Sequence, residues 1–139
     1  MTREEVMAFF ARRQQAFANL DAAALAADYA DDAVIESPIA GVHHGRTAEE
    51  ALRAVFTAFP DMTQTVDTLI IDGDRVVEVR RTSATHVGEF LGLAPSGKSF
   101  HLDMVFLYDL KDGKIVGERR IYDFTGLLMQ IGVLKAKPI

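Results

Sequence analysis

Val6, Phe9, Phe10, Phe17 and Leu20 recur at helical spacing, so the chain opens with an amphipathic helix whose apolar stripe is interrupted by Arg13. Thr2 supplies an N-cap, and Glu5 three residues on completes a capping box. Asn19-Leu20-Asp21 breaks this helix, and Asp21 caps an alanine-rich second one running to about Tyr29-Ala30. Residues 33–37 read as a short strand ended by Pro38, and 41–45 as a glycine-bounded loop. Thr47 with Glu50 opens a third helix through Leu52, Val55, Phe56 and Phe59, which Pro60 stops. The pattern then changes to period two. Strands are predicted over 63–71 and 75–86, joined by Asp72-Gly73-Asp74. A long connection over 87–99 leads to a terminal hairpin of 100–110 and 114–124. Three helices followed by antiparallel strands predict an α+β fold, with 1–139 as one domain.

The hairpin fixes which side chains meet. A three-residue loop with Gly113 in the left-handed position pairs Leu110 with Lys114, Val105 with Arg119, Asp103 with Ile121 and His101 with Asp123. One face then carries His101, Asp103, Val105, Arg119, Ile121 and Asp123. The other carries Leu102, Met104, Phe106, Tyr108, Val116, Glu118, Arg120 and Tyr122. A two-residue Asp112-Gly113 turn would shift the register by one and break the His101–Asp123 pair.

Composition narrows the function. A net charge of −5 and scattered Lys and Arg argue against nucleic acid as a partner. The pairs Arg12-Arg13, Arg80-Arg81 and Arg119-Arg120 read as solvated faces or local ion pairs. With no cysteine, disulfides, thiolate metal sites and a cysteine nucleophile are excluded. Neither a secretory leader nor an apolar run long enough to span a membrane is visible, so a cytoplasmic location is expected. His43-His44 has no third ligand at suitable spacing, so no metal site is expected.

Asp123 ends an apolar strand, where a carboxylate is costly to bury, and is the first candidate for chemistry. His101 could orient it or share its proton, Asp103 adds a second acid, and Arg119 offers a cation for an anionic substrate or intermediate. The competing reading makes this face solvent-exposed and the apolar face core. His86 is either a pocket wall and proton donor or a structural residue tying down its loop. Glu36 faces either the pocket or solvent. Tyr29 could offer a hydroxyl to a ligand or simply pack. Phe10, Phe17, Phe56, Phe59 and Phe90 are core candidates, some of them lining a pocket.

Three segments carry a family resemblance. The first runs from Asn19-Leu20-Asp21 through Asp31-Asp32-Ala33-Val34-Ile35-Glu36-Ser37-Pro38 to Gly45-Arg46. The second is Thr85-His86-Val87-Gly88-Glu89-Phe90-Leu91-Gly92 with Pro95-Ser96-Gly97-Lys98. The third is Asp112-Gly113-Lys114-Ile115-Val116, then Asp123, Leu127, Leu128, Gln130 and Gly132. Together they resemble the SnoaL-like polyketide cyclases of the nuclear-transport-factor-2-like superfamily. The resemblance implies a cone-shaped α+β barrel, with a curved antiparallel sheet wrapped round three N-terminal helices and an internal apolar pocket. It implies a homodimer or homotetramer needing no metal or cofactor. It also implies an intramolecular aldol ring closure on a small polyketide-like substrate, with Asp123 as the acid/base. His101, Asp103 and His86 would position Asp123 or donate to the developing oxyanion. Arg119, Tyr29, Glu36, Phe56 and Phe90 complete the expected substrate-binding set.

The chain departs from the family pattern at Arg119, where a tryptophan is usual, and at Ser96, where a threonine is usual. Pairing of Arg119 with Asp123 would lower the carboxyl pKa and weaken it as a base. The residue types Asp103, Arg119 and Asp123 also suit an epoxide hydrolase or isomerase on the same scaffold. A non-catalytic small-molecule-binding domain is the reading from another class.

Overall fold

The computed structural model describes residues 1–137 of the 139. The helix α1 (Arg3–Ala18) is N-capped by Thr2, whose hydroxyl accepts from Glu5 N at 3.1 Å. A short α2 (Ala22–Ala26) is capped by Asp21, which accepts from Ala24 N at 3.0 Å. This helix stops earlier than expected, because the chain is already extended at Tyr29. The strand β1 (Tyr29–Ser37) is longer than predicted, and the expected loop at 41–45 is largely a strand, β2 (Gly41–His44). One turn of 3-10 helix (Gly45–Thr47) leads into α3 (Ala48–Ala58). The capping box expected there does not form: the Thr47 hydroxyl donates to His44 O at 2.9 Å.

The strands β3 (Thr63–Asp72), β4 (Arg75–Thr85), β5 (Ser99–Lys111) and β6 (Lys114–Tyr122) follow, and α4 (Phe124–Gln130) closes the ordered elements. The helix α4 forms where the sequence showed only an apolar segment. Order in the sheet is β2-β1-β6-β5-β4-β3. The fold is α+β as expected, but the sheet is open rather than closed into a barrel. It is not wholly antiparallel, because β1 runs parallel to β6, with Ile35 opposite Glu118.

The terminal hairpin turns on two residues, Asp112 and Gly113, both at positive φ (51° and 75°), and Lys111 pairs with Lys114. Two consecutive left-handed residues are what a tight hairpin needs to match strand twist. A bulge between Asp109 and Leu110 then shifts the register again, so Asp109 lies opposite Gly117, Val105 opposite Ile121 and Leu107 opposite Arg119. The two shifts add to an even number. The division into two faces therefore survives although every predicted pair is wrong, including His101 with Asp123.

The inner face of the sheet packs on α1, α3 and α4 through two apolar clusters, and a third holds the first three helices together. One centres on Val6, Phe10, Ile35 and Ile115. A second gathers Phe59, Phe90, Phe100 and Leu102 against Leu127 and Ile131. The third joins Phe17 and Leu25 to Leu52 and Phe56. Gly88 lets the loop after β4 lie on the end of α3, since a Cβ there would meet Thr57 O at 2.5 Å.

Candidate active site

An apolar cavity of about 310 Å³ opens where the three clusters meet. Phe56, Phe59, Phe90, Leu102 and Leu127 supply much of its wall. Its polar end is built by one inward-facing row of the sheet. His43 on β2 lies opposite Ile35 on β1, and Ile35 lies opposite Glu118 on β6. Glu118 in turn lies opposite Tyr108 on β5, and Arg120 follows two residues along β6. Alternation along a strand thus delivers Glu118, Arg120 and Tyr122 to the same cavity.

Glu118 is buried and fully engaged. Tyr29 Oη donates to its Oε1, and Arg120 Nε donates to its Oε2 at 2.5 Å. Behind Tyr29 stands Arg13, only 1% exposed, which donates to Tyr29 Oη at 3.3 Å and to Asp28 Oδ2 at 2.9 Å. Burial alone would push the Glu118 carboxyl up. Arg120 and Arg13, with the hydrogen bonds from Tyr29 and Arg120, hold it below the usual carboxylate range. Glu118 is therefore an ionised anchor rather than a base waiting for a proton. Burial, then the charge of Glu118, pushes the Tyr29 phenol up to about 12. A second buried pair, Arg80 with Glu78, sits along the same face. Arg80 also donates to Gln64 Oε1 at 2.7 Å and to Tyr108 Oη at 2.8 Å, between the rings of Phe17 and Phe106.

His43 differs from its neighbours. It lines the cavity, yet both ring nitrogens are buried without a hydrogen-bond partner among the described residues. Burial and the charge of Arg120 keep its pKa below the ordinary histidine value, so the ring is neutral near pH 7. Tyr122 also lines the cavity, and burial pushes its phenol up to about 12, leaving it a neutral donor.

The residues singled out in the sequence divide between inside and outside. Tyr29, Phe56 and Phe90 line the cavity. His101, Asp103, Arg119 and Asp123 are exposed and lie outside its lining. Asp123 caps α4, accepting from Gly126 N at 2.8 Å. His101 bonds Ser83 Oγ at 2.9 Å, and its Nε2 stands 4.0 Å from Asp103. Its backbone N–H donates to the Gln130 side chain at 2.8 Å, on the side where β6 has already ended. Glu36 faces outward, 3.9 Å from Arg119 Nε. His86 is buried beside Phe59 and ties down its loop: Ser96 N–H donates to its Nδ1 at 3.2 Å. Of the arginine pairs read as solvated or locally paired, Arg13 and Arg80 are core residues and Arg120 is a cavity residue.

His43, Glu118 and Arg120 were not assigned a site by the sequence. The available signal was strand alternation in the hairpin, which puts Glu118 and Arg120 on the same face as Phe106, Tyr108 and Tyr122, where a charge needs a reason.

The SnoaL-like polyketide cyclase family model matches residues 8–131, nearly the whole chain. The chain belongs to that family. Membership places it in a family of enzymes. Its sequence is similar to aklanonic acid methyl ester cyclase AcmA of Streptomyces galilaeus, 40% identical over 47 residues. That match covers 34% of this chain and 33% of AcmA, so it spans about a third of the relative's length. Two solved structures extend the likeness over the whole fold. AclR, a hydroxylase candidate from Streptomyces galilaeus, is 25% identical with a TM-score of 0.84, covering 99% of this chain and 91% of AclR. IdmH, a polyketide cyclase candidate from Streptomyces antibioticus, is 29% identical with a TM-score of 0.73, covering 91% of this chain and 98% of IdmH.

Proposed function

We propose that this SnoaL-like protein performs cofactor-free acid/base chemistry, an intramolecular aldol ring closure or the proton abstraction that begins one, on a small apolar polyketide-like molecule held in the cavity. The observation that carries the reading is the cavity itself: about 310 Å³, apolar over most of its wall, with its ionisable groups gathered at one end. Similarity to AcmA, named an aklanonic acid methyl ester cyclase, supports a ring-closing reaction.

In this reading the base is His43 rather than Asp123. A neutral imidazole with unmet hydrogen-bonding capacity can take a carbon-bound proton, whereas Glu118 is locked by Tyr29 and Arg120. The proton moves from the activated carbon to a ring nitrogen, leaving an enolate. The enolate carbon attacks a carbonyl carbon of the same molecule, and the new alkoxide recovers a proton from the imidazolium. Product and substrate are isomers, so no co-reactant is needed. The neutral Tyr122 phenol donates to the developing oxyanion, and Arg120 adds a positive field in a water-poor site.

The test is solvent deuterium exchange into a bound 1,3-diketone, read by NMR beside ring closure of a linear diketide. His43→Gln should lower the exchange rate by roughly a hundredfold or more while the protein stays folded. Unchanged exchange in that variant would remove His43 from the reaction.

A further inference from the structure

Arg120 is half used. Its Nε is committed to Glu118, but its two terminal nitrogens have no hydrogen-bond partner among the described residues, and the side chain lines the cavity. Around this end Arg13 and Arg120 face two carboxylates, Asp28 and Glu118, and Arg12, which also reaches Asp28, is exposed to water. Asp28 is shared between Arg12 and Arg13, and Glu118 stands between Arg13 and Arg120. The member of the set that meets the cavity with free donors is Arg120. Glu89 also reaches the cavity wall, but it is exposed, where water screens its charge.

A guanidinium with two parallel donors is shaped for a two-oxygen anion. A neutral ester carbonyl in the same place would accept one hydrogen bond and leave the second terminal donor unmet. Building on the cavity reading above, we infer that the substrate is a free acid: an apolar, polyketide-like molecule whose carboxylate is held by the Nη1–Nη2 edge of Arg120. The apolar body then lies along Phe56, Phe59 and Leu102, and the carboxylate fixes which carbon is presented to His43. Arg120 sets the specificity of the site in direct contact with substrate, and Glu118 positions it through the Nε bond.

The experiment measures binding of anthraquinone-2-carboxylate and its methyl ester to the native protein at pH 7, by calorimetry or ligand fluorescence. The acid should bind at least about tenfold tighter than the ester, the scale of a charge-assisted pair. Arg120→Gln should abolish the difference by weakening the acid alone. Arg120→Lys should leave a smaller preference, because an ammonium is a point charge without the fork. Equal binding of acid and ester by the native protein overturns the inference while leaving the cavity reading intact, and so does a preference that survives Arg120→Gln. If neither ligand binds, the cavity reading falls and this inference falls with it. Should Arg120→Gln fail to fold, the native comparison of acid with ester is decisive by itself.

Discussion

Residue by residue, the arginines carry the most information. Arg12-Arg13 and Arg80-Arg81 each place one member in water and one in the core, and Arg119-Arg120 splits between the outer face and the cavity. Adjacent residues on a strand point to opposite sides, so one of each strand pair had to face inward. Burying such a charge is tolerable only with partners. Glu118 is the partner on which the cavity end depends. Glu118→Gln should destabilise the fold by about 3–5 kcal/mol, measured by chemical denaturation, because it leaves Arg120 and Arg13 less compensated. The pH dependence follows from the same geometry. The Glu118 carboxyl sits below its unfolded value, so its contribution is complete above about pH 4.5 and is lost as pH falls through the lower folded value. The Tyr29 phenol moves the other way. Its contribution is complete below about pH 10 and is lost as pH rises toward about 12. A pH series of denaturation midpoints should show both edges, and Glu118→Gln should remove the acid one.

Among the elements, the hairpin and α4 explain why the expected catalytic carboxylate lies elsewhere. A two-residue turn and a bulge move β6 by two positions against β5, so His101 runs past the end of β6 and bonds Gln130 instead. Asp123 is then the first residue beyond the strand and the cap of α4. Asp123→Ala should therefore cost about 1 kcal/mol of stability, the usual scale for a lost N-cap, and leave kcat unchanged. Loss of turnover without loss of stability would return the chemistry to Asp123. Helix starts at Thr2 and Asp21 were legible because a cap is a local interaction among neighbouring residues. Helix α4 and strand β2 were not, because their lengths depend on what they pack against. The end of α2 was misplaced for a similar reason: Tyr29 is drawn into β1 by its place opposite Ile115.

For the molecule as a whole, three apolar clusters surround a space they do not fill. Protein interiors are normally close-packed, so an unfilled apolar volume of this size marks a binding site. Met104, half-buried on β5, borders it. Met104→Trp should occupy the space. Ligand binding and turnover should fall below detection while denaturation changes by no more than about 1–3 kcal/mol, the ordinary range for added core volume. Retained binding in that variant would place the site outside this cavity.

The sequence by itself determined the α+β order, the two helix caps, the period-two strands and the split of the hairpin into an apolar and a charged face. Each depends on residues close in sequence or on alternation, which an even register shift cannot disturb. It also carried the ordered motifs that mark the family. Tertiary structure decided which face encloses the cavity, which arginine of each pair is buried, and which ionisable groups share one site. Those depend on register and on contacts between distant segments. The row linking His43, Ile35 and Glu118 exists only because β1 pairs in parallel with β6, a contact that no local pattern encodes.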